Sequence, residues 1–238
     1  MPKILCLDPG HGGYDPGCVG GCEEKDFTLN VCLDLKKALE ARGVTVVMTR
    51  TSDVSPSGTA NVQEDLQARC DISDQAGADL FLSIHGNSGG GVGTEAYIWP
   101  GGQAATIATD LVNALAPIMG VHGEAVKDGG PNGRHLAVIC GTAAPAVLLE
   151  VGFLDSSDFA KLAARLHDFG DILAAPLSRF LGGSAPVVTP PNTVTPETLH
   201  AALEAHTTAT DAKVAEALAA LQAQFDSTIK ALITELKG

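Results

Sequence analysis

The sequence predicts an α/β fold: a twisted, mostly parallel six-stranded sheet with helices on both faces, then a C-terminal helical segment after a Pro/Thr linker. Two observations carry this. Short β-branched and apolar runs alternate with helical patterns across the first 183 residues, as expected of crossover units packed around a parallel sheet. After Gly182-Gly183 the composition changes abruptly. A hydrophobic share of 45% in 238 residues provides for a real core. No apolar run reaches the roughly 18 residues of a membrane span.

Six segments read as strands: 3–7, 44–49, 80–85, 94–99, 136–140 and 146–151. Helical patterns lie between them. The first, 27–42, carries Phe27, Val31, Leu35 and Leu39 on one face and stops at Gly43. A second runs from Leu66 to Gln75 before Ala76-Gly77-Ala78, a third covers 104–119, and one or two more fall within 157–180. These elements make residues 1–183 one catalytic-size domain.

Residues 184–196 (SAPVVTPPNTVTP) lack apolar periodicity and read as a stiff, extended linker. Residues 197–238 are rich in Ala, Leu and Glu, which predicts a helix. Leu203, Val214, Phe225 and Leu236 recur every 11 residues. Leu199, Thr210, Leu221 and Leu232 repeat the period, as do Thr207, Leu218 and Ile229. Such rows trace an apolar stripe that favours a slight right-handed supercoil. With the linker holding it away from the first domain, the helix is expected to make the protein a homo-oligomer.

A net charge of −13 argues against a nucleic-acid partner, which requires clustered Lys and Arg. It also argues against attachment to an anionic wall by charge alone. The N-terminus shows no signal peptide, so synthesis in the cytoplasm is expected. Without a secretion signal, the cysteines at 6, 18, 22, 32, 70 and 140 read as free thiols.

Chemistry gathers where strands end. The first strand runs into Asp8-Pro9-Gly10-His11-Gly12-Gly13, the third ends Ser83-Ile84-His85-Gly86-Asn87, and the last ends Leu148-Leu149-Glu150-Val151-Gly152-Phe153. Carboxyl ends of strands are where α/β sheets place functional groups. His11, His85 and Glu150 therefore fall on one sheet edge, and Glu24 opens the helix after the first strand. Two imidazoles with one carboxylate form a ligand set for catalytic zinc, and the other carboxylate is free to act as general base. A glutamate within the apolar run AVLLEVGF also requires a partner if buried.

Other readings compete. Gly86-Asn87-Ser88-Gly89-Gly90 fits the G-x-S-x-G nucleophile elbow, which would make Ser88 the nucleophile of a serine hydrolase. That motif requires a following helix, and a strand is expected here instead. The glycine-rich 10–17 segment suggests a phosphate-binding protein, but its spacing matches neither phosphate-loop motif. Cys18-x-x-x-Cys22 suits a structural zinc site or a disulfide, yet no second Cys/His pair has similar spacing. The remaining histidines read as structural or solvent-facing, with His122 and His135 the two placed to border a cleft.

Taken in order, these motifs resemble the zinc-dependent N-acetylmuramoyl-L-alanine amidases of the amidase-3 family from Lys3 to about Leu181. The resemblance rests on Asp8-Pro9-Gly10-His11-Gly12-Gly13-x-Asp15-Pro16-Gly17, on Glu24-Lys25-Asp26, and on Thr49-Arg50-x-x-Asp53 with Leu66-x-x-Arg69. The His85 and Glu150 motifs complete it. Gly86 stands where the family usually has alanine, Asp155 where asparagine is common, and Cys18–Cys22 forms an unusual insertion before Glu24. By this resemblance His11, Glu24 and His85 bind one zinc ion, and Glu150 is the general base. The implied partner is peptidoglycan, cleaved between N-acetylmuramic acid and L-alanine of the stem peptide. An amidase of this family without an export signal resembles a phage endolysin, released onto the wall at lysis.

Overall fold

The computed structural model describes residues 3–184. The linker and the C-terminal helix expected from the sequence lie outside the described residues.

The element order is β1 (Ile4–Pro9), α1 (Glu24–Glu40), β2 (Thr45–Met48), α2 (Val62–Ala76), β3 (Leu80–Asn87) and β4 (Thr94–Ile98). It continues with α3 (Ala105–Met119), β5 (Val121–Asp128), α4 (Ala137–Gly141), β6 (Ala146–Phe153), α5 (Asp158–Ala164) and α6 (Phe169–Phe180). The strands form one sheet in the order β2-β1-β3-β6-β4-β5. Every pairing is parallel except β4 with β6. The antiparallel step follows from the short 88–93 connection, which has no room for the crossover that a parallel return requires. β6 then inserts between β3 and β4.

Side-chain alternation sorts the sheet into two faces. Leu5, Leu7, Leu82, Ile84, Val147 and Leu149 point to one side, where α1, α3 and α6 cover them. Cys6, Phe81, Tyr97 and Leu148 point to the other, against Cys70 of α2 and Val138 and Ile139 of α4. Covering both faces explains why the central strands read as continuous apolar runs. Helix α2 shows how local signals set an element's limits. Asn61 accepts from the N–H groups of Gln63 and Glu64 at its start, and Gly77 ends it at φ 61°.

One expected strand is corrected. Residues 136–140 are not the fifth strand; Leu136 opens the short helix α4 and the rest lie within it, and β5 is Val121–Asp128. The run Leu-Ala-Val-Ile-Cys is too short for periodicity to separate buried helix from buried strand. Its neighbour Val-His-Gly-Glu-Ala-Val-Lys-Asp hides a strand because it lies at the sheet edge, half exposed, where polar residues are tolerated.

Candidate metal centre

After β1 the chain turns sharply, and His11 adopts φ 61°, a backbone conformation that side chains other than glycine rarely take. Neighbouring groups hold it there. Arg69 donates Nη2–H to the His11 carbonyl at 2.7 Å and Nη1–H to that of Pro9 at 2.8 Å. Arg50 donates to the carbonyls of Pro9, at 3.0 Å, and of Gly10 and Lys25, at 2.9 and 2.8 Å. Beneath the turn, Asp8 is 1% exposed. Its carboxylate accepts from Thr49 Oγ1 at 2.5 Å, Arg69 Nη1 at 2.7 Å and Ser83 Oγ at 2.6 Å. Through these contacts the Thr49-Arg50 and Leu66-x-x-Arg69 motifs clamp the His11 loop to β1.

The turn brings the ring of His11 edge-on to that of His85, with centroids 4.9 Å apart at 80°. Glu24, the first residue of α1, stands between the rings. Its Oε1 lies 3.2 Å from His11 Nε2 and 2.9 Å from His85 Nδ1. The same carboxylate accepts from the N–H groups of Gly86 at 3.0 Å and Cys18 at 2.8 Å. Glu23 points outward to Lys25 at 3.4 Å, so Glu24 is the glutamate that meets the histidines. The Cys18–Cys22 insertion forms a small hairpin closed by a Val19–Glu23 bridge, and it delivers the Cys18 donor. Both thiols are free and half-buried.

Three ligand atoms, one each from His11, Glu24 and His85, lie within 4.8 Å of one another. Among the described residues this is the only such group. Three features fit it to a cation. Asp15 Oδ2 accepts from His11 Nδ1–H at 2.7 Å, so Nε2, on the Glu24 side, is the ring nitrogen that can give up its proton to a cation. Burial favours a neutral Glu24, but hydrogen bonds from His11 and His85 and their charge outweigh it, holding its carboxyl well below the usual range. Burial likewise favours a neutral His11, yet Glu24 and Asp15 push its pKa up to about 9. The cluster thus draws positive charge towards Glu24. The space around it is also kept clear by glycine. A Cβ on Gly17 (φ 66°) would lie 2.6 Å from Glu24 Oε2, and one on Gly10 would lie 2.4 Å from His85 Cε1.

Glu150 is the register partner of His85 across β3 and β6. It is 7% exposed, and its carboxylate makes no protein hydrogen bond among the described residues. Burial raises its pKa to about 7, helped by the charges of Glu24 and Glu95 and opposed by those of His85 and Arg134. Two glutamates whose charges act on each other are therefore driven to opposite protonation tendencies.

A cleft of about 470 Å³ opens beside the histidines, walled by Tyr14, Val62, Leu66, His135 and Val138. His135 borders it at φ 51°. His122 instead packs on Phe153 with centroids 4.8 Å apart and donates Nδ1–H to Val92 O at 3.0 Å. Ser88 is exposed, and β3 continues into a loop and then β4 without a helix, so the nucleophile elbow does not form. Asp155 accepts from the N–H groups of Gly89 at 2.7 Å and Gly90 at 3.1 Å, a role suited to an acceptor-only carboxylate. Sequence reasoning assigned no role to Asp15, although its place four residues after His11 was a usable signal. It also missed Glu95 and Arg134, which have no motif.

Comparison with known proteins agrees with this geometry. Residues 5–171 match the model of the amidase-3 family, described as N-acetylmuramoyl-L-alanine amidase. The chain is 40% identical over 171 residues to the sporulation-specific N-acetylmuramoyl-L-alanine amidase of Bacillus subtilis, covering 68% of this chain and 60% of that protein. It is 34% identical over 200 residues to the endolysin of Bacillus phage SPP1, covering 78% of this chain and 71% of the endolysin. In structure it resembles the catalytic domain of an N-acetylmuramoyl-L-alanine amidase from Bacillus (Paenibacillus) polymyxa. That match has a TM-score of 0.57 and 29% identity, and covers 76% of this chain and 98% of the other. A second solved amidase, from Nostoc punctiforme, gives a TM-score of 0.61 at 26% identity, over 75% of this chain and 94% of the other. With the His-Glu-His cluster, the buried glutamate and these matches together, the chain belongs to the amidase-3 family of N-acetylmuramoyl-L-alanine amidases.

Proposed function

We propose that this protein is a zinc-dependent amidase that hydrolyses the amide between the lactyl group of N-acetylmuramic acid and L-alanine in peptidoglycan. The observation that carries the reading is the His11–Glu24–His85 cluster with Glu150 in register beside it. His11 through Nε2, Glu24 through its carboxylate and His85 through Nδ1 would hold one zinc ion. Bound zinc supplies Lewis acidity, polarising the scissile carbonyl and acidifying water towards a pKa of about 7. Glu150 accepts the proton of the attacking water, because its buried carboxylate has no competing donor from the protein. It then returns that proton to the departing amine of L-alanine. Asp15 keeps His11 in the tautomer that directs Nε2 inward.

Digestion of purified peptidoglycan tests the reaction. New alanine amino groups without new reducing sugars are expected; new reducing ends instead would mark a glycosidase and overturn the reading. The resemblance to a phage endolysin supports action on the cell wall at lysis, which host cultures expressing the protein with a pore-forming partner would test. The domain scheme is likewise a proposal: a catalytic domain over 1–183, a linker over 184–196, and a self-associating helix over 197–238. Light scattering of the whole chain beside a version ending at Gly183 tests it. An oligomer that becomes monomeric on truncation is expected, and a monomeric whole chain at micromolar concentration overturns it.

A further inference from the structure

On the β4–β5 side of Glu150 lies a polar group that the hydrolytic step leaves unused. Glu95 is 2% exposed and is the register partner of Glu150 across the antiparallel β4–β6 pair. Its Oε1 accepts from Asn87 Nδ2 at 2.9 Å and from the Tyr97 hydroxyl at 2.9 Å, and its Oε2 pairs with Lys127 Nζ. The charge of Lys127 is therefore matched by Glu95. Arg134 is different. Its Nη1–H donates to the Tyr97 hydroxyl at 3.0 Å, and its guanidinium stands over the Tyr97 ring, 5.1 Å from the centroid. Both contacts are to a neutral phenol. Among the described residues, no carboxylate pairs with Arg134, and its Nε and Nη2 have no acceptor.

The side chain is exposed but not loose. Its loop is tied by backbone hydrogen bonds from Arg134 N–H to Asp128 O at 3.0 Å, His135 N–H to Gly130 O at 3.0 Å and Leu136 N–H to Gly129 O at 2.8 Å. A Cβ on Gly133 would lie 2.3 Å from Asp128 O, so the loop closes only with glycine there. The next residue, His135, lines the cleft. Arg134 is also near enough to Glu150 for their charges to act on each other.

We propose that Arg134 is a specificity-determining residue that binds a carboxylate on the leaving peptide, one residue beyond the amine that hydrolysis frees. The inference rests on the amidase reading. In that reading Glu150 returns the proton to the amine, so the peptide side of the scissile bond lies against Glu150. Arg134 is the unmatched cation on that side. The residue after L-alanine in a stem peptide is a γ-linked glutamate whose α-carboxyl is either free or amidated. A planar guanidinium suits the free carboxylate, which it can bind through two parallel hydrogen bonds. Lys127 neutralises Glu95, so the incoming anion is not repelled by that carboxylate. Packing on Tyr97 orders the guanidinium beforehand, which reduces the entropy lost on binding.

Binding of the product peptide tests this independently of turnover. The zinc-loaded protein is titrated calorimetrically with L-alanyl-γ-D-glutamate and with the same dipeptide carrying an α-carboxamide. Binding of the carboxylate form at least about ten-fold tighter is expected in the wild type. That preference should vanish in Arg134→Gln and survive in part in Arg134→Lys, with circular dichroism confirming that each variant is folded. Equal affinities in the wild type, or a preference that persists in Arg134→Gln, overturn the proposal. Release of alanine amino groups from peptidoglycan is scored separately. Its absence would count against the amidase reading, while the calorimetric preference still decides whether Arg134 selects a carboxylate.

Discussion

His85 and Glu150 are register partners on adjacent parallel strands, so one strand pair sets the spacing between a side chain of the His-Glu-His cluster and a buried carboxylate. Parallel pairing fixes that spacing because a one-residue slip would turn one of the two side chains to the opposite face of the sheet. The arrangement makes the division of labour between the glutamates testable.

Metal content follows the cluster. His11→Ala and His85→Ala should each remove zinc together with activity, since two ligands from the described group are left. Asp15→Asn should be milder, weakening zinc about 10- to 100-fold by loosening the orientation of His11. Atomic absorption after dialysis against a weak chelator measures both. Full zinc in either histidine variant would refute the assignment.

Glu150→Gln preserves shape but not basicity. It should keep zinc and the fold while turnover falls about 10²- to 10⁴-fold. Glu24→Gln should instead lose zinc, because the carboxylate between the two rings loses its charge. The reverse pattern would mean that the two glutamates exchange roles.

Stability of the metal-free protein should depend on pH through Glu150. Its folded pKa of about 7 lies above the ordinary 4.5. The stabilising contribution is therefore complete below the unfolded value and is lost as pH rises through about 7. Relative to Glu150→Gln, the metal-free wild type should weaken between those limits by at most about 3 kcal/mol. Bound cation favours the carboxylate, so the acid limb of kcat/KM should fall below 7. Urea melts of both metal-free proteins at pH 5 and 8 check the first statement. A constant difference between them would contradict it.

Arg69 joins the clamp to the His11 loop. Arg69→Met leaves Asp8, 1% exposed, as an uncompensated buried charge; it also frees the His11 carbonyl and leaves that of Pro9 with Arg50 as its remaining side-chain donor. A loss of about 3–5 kcal/mol is expected, measured by chemical denaturation of the zinc-loaded protein. A cost below about 1 kcal/mol would show that the buried pair does not hold the loop.

Much of the site was legible because its residues sit at strand ends. The glycine-bounded His11 turn, the His85 strand end and the apolar run around Glu150 each announce themselves locally. Glu24 was legible only as the opening of a helix. Neither its place between two imidazoles nor the burial that raises Glu150 can be read from spacing, because both depend on groups more than 60 residues away in the chain. Arg134 gave no signal, since its significance lies in being the cation that Glu95 does not match.

The sequence by itself determined the α/β class, the helical faces and the strand-end chemistry, because periodicity and turn residues act over a few neighbouring positions. Only the tertiary structure decided the order of the sheet, the antiparallel β4 and the exchange of an expected strand for α4. A short apolar run takes its form from what packs against it. Residues 137–141 became helix because Val138 and Ile139 had to meet the face carrying Phe81 and Tyr97, while a more polar segment completed the exposed edge.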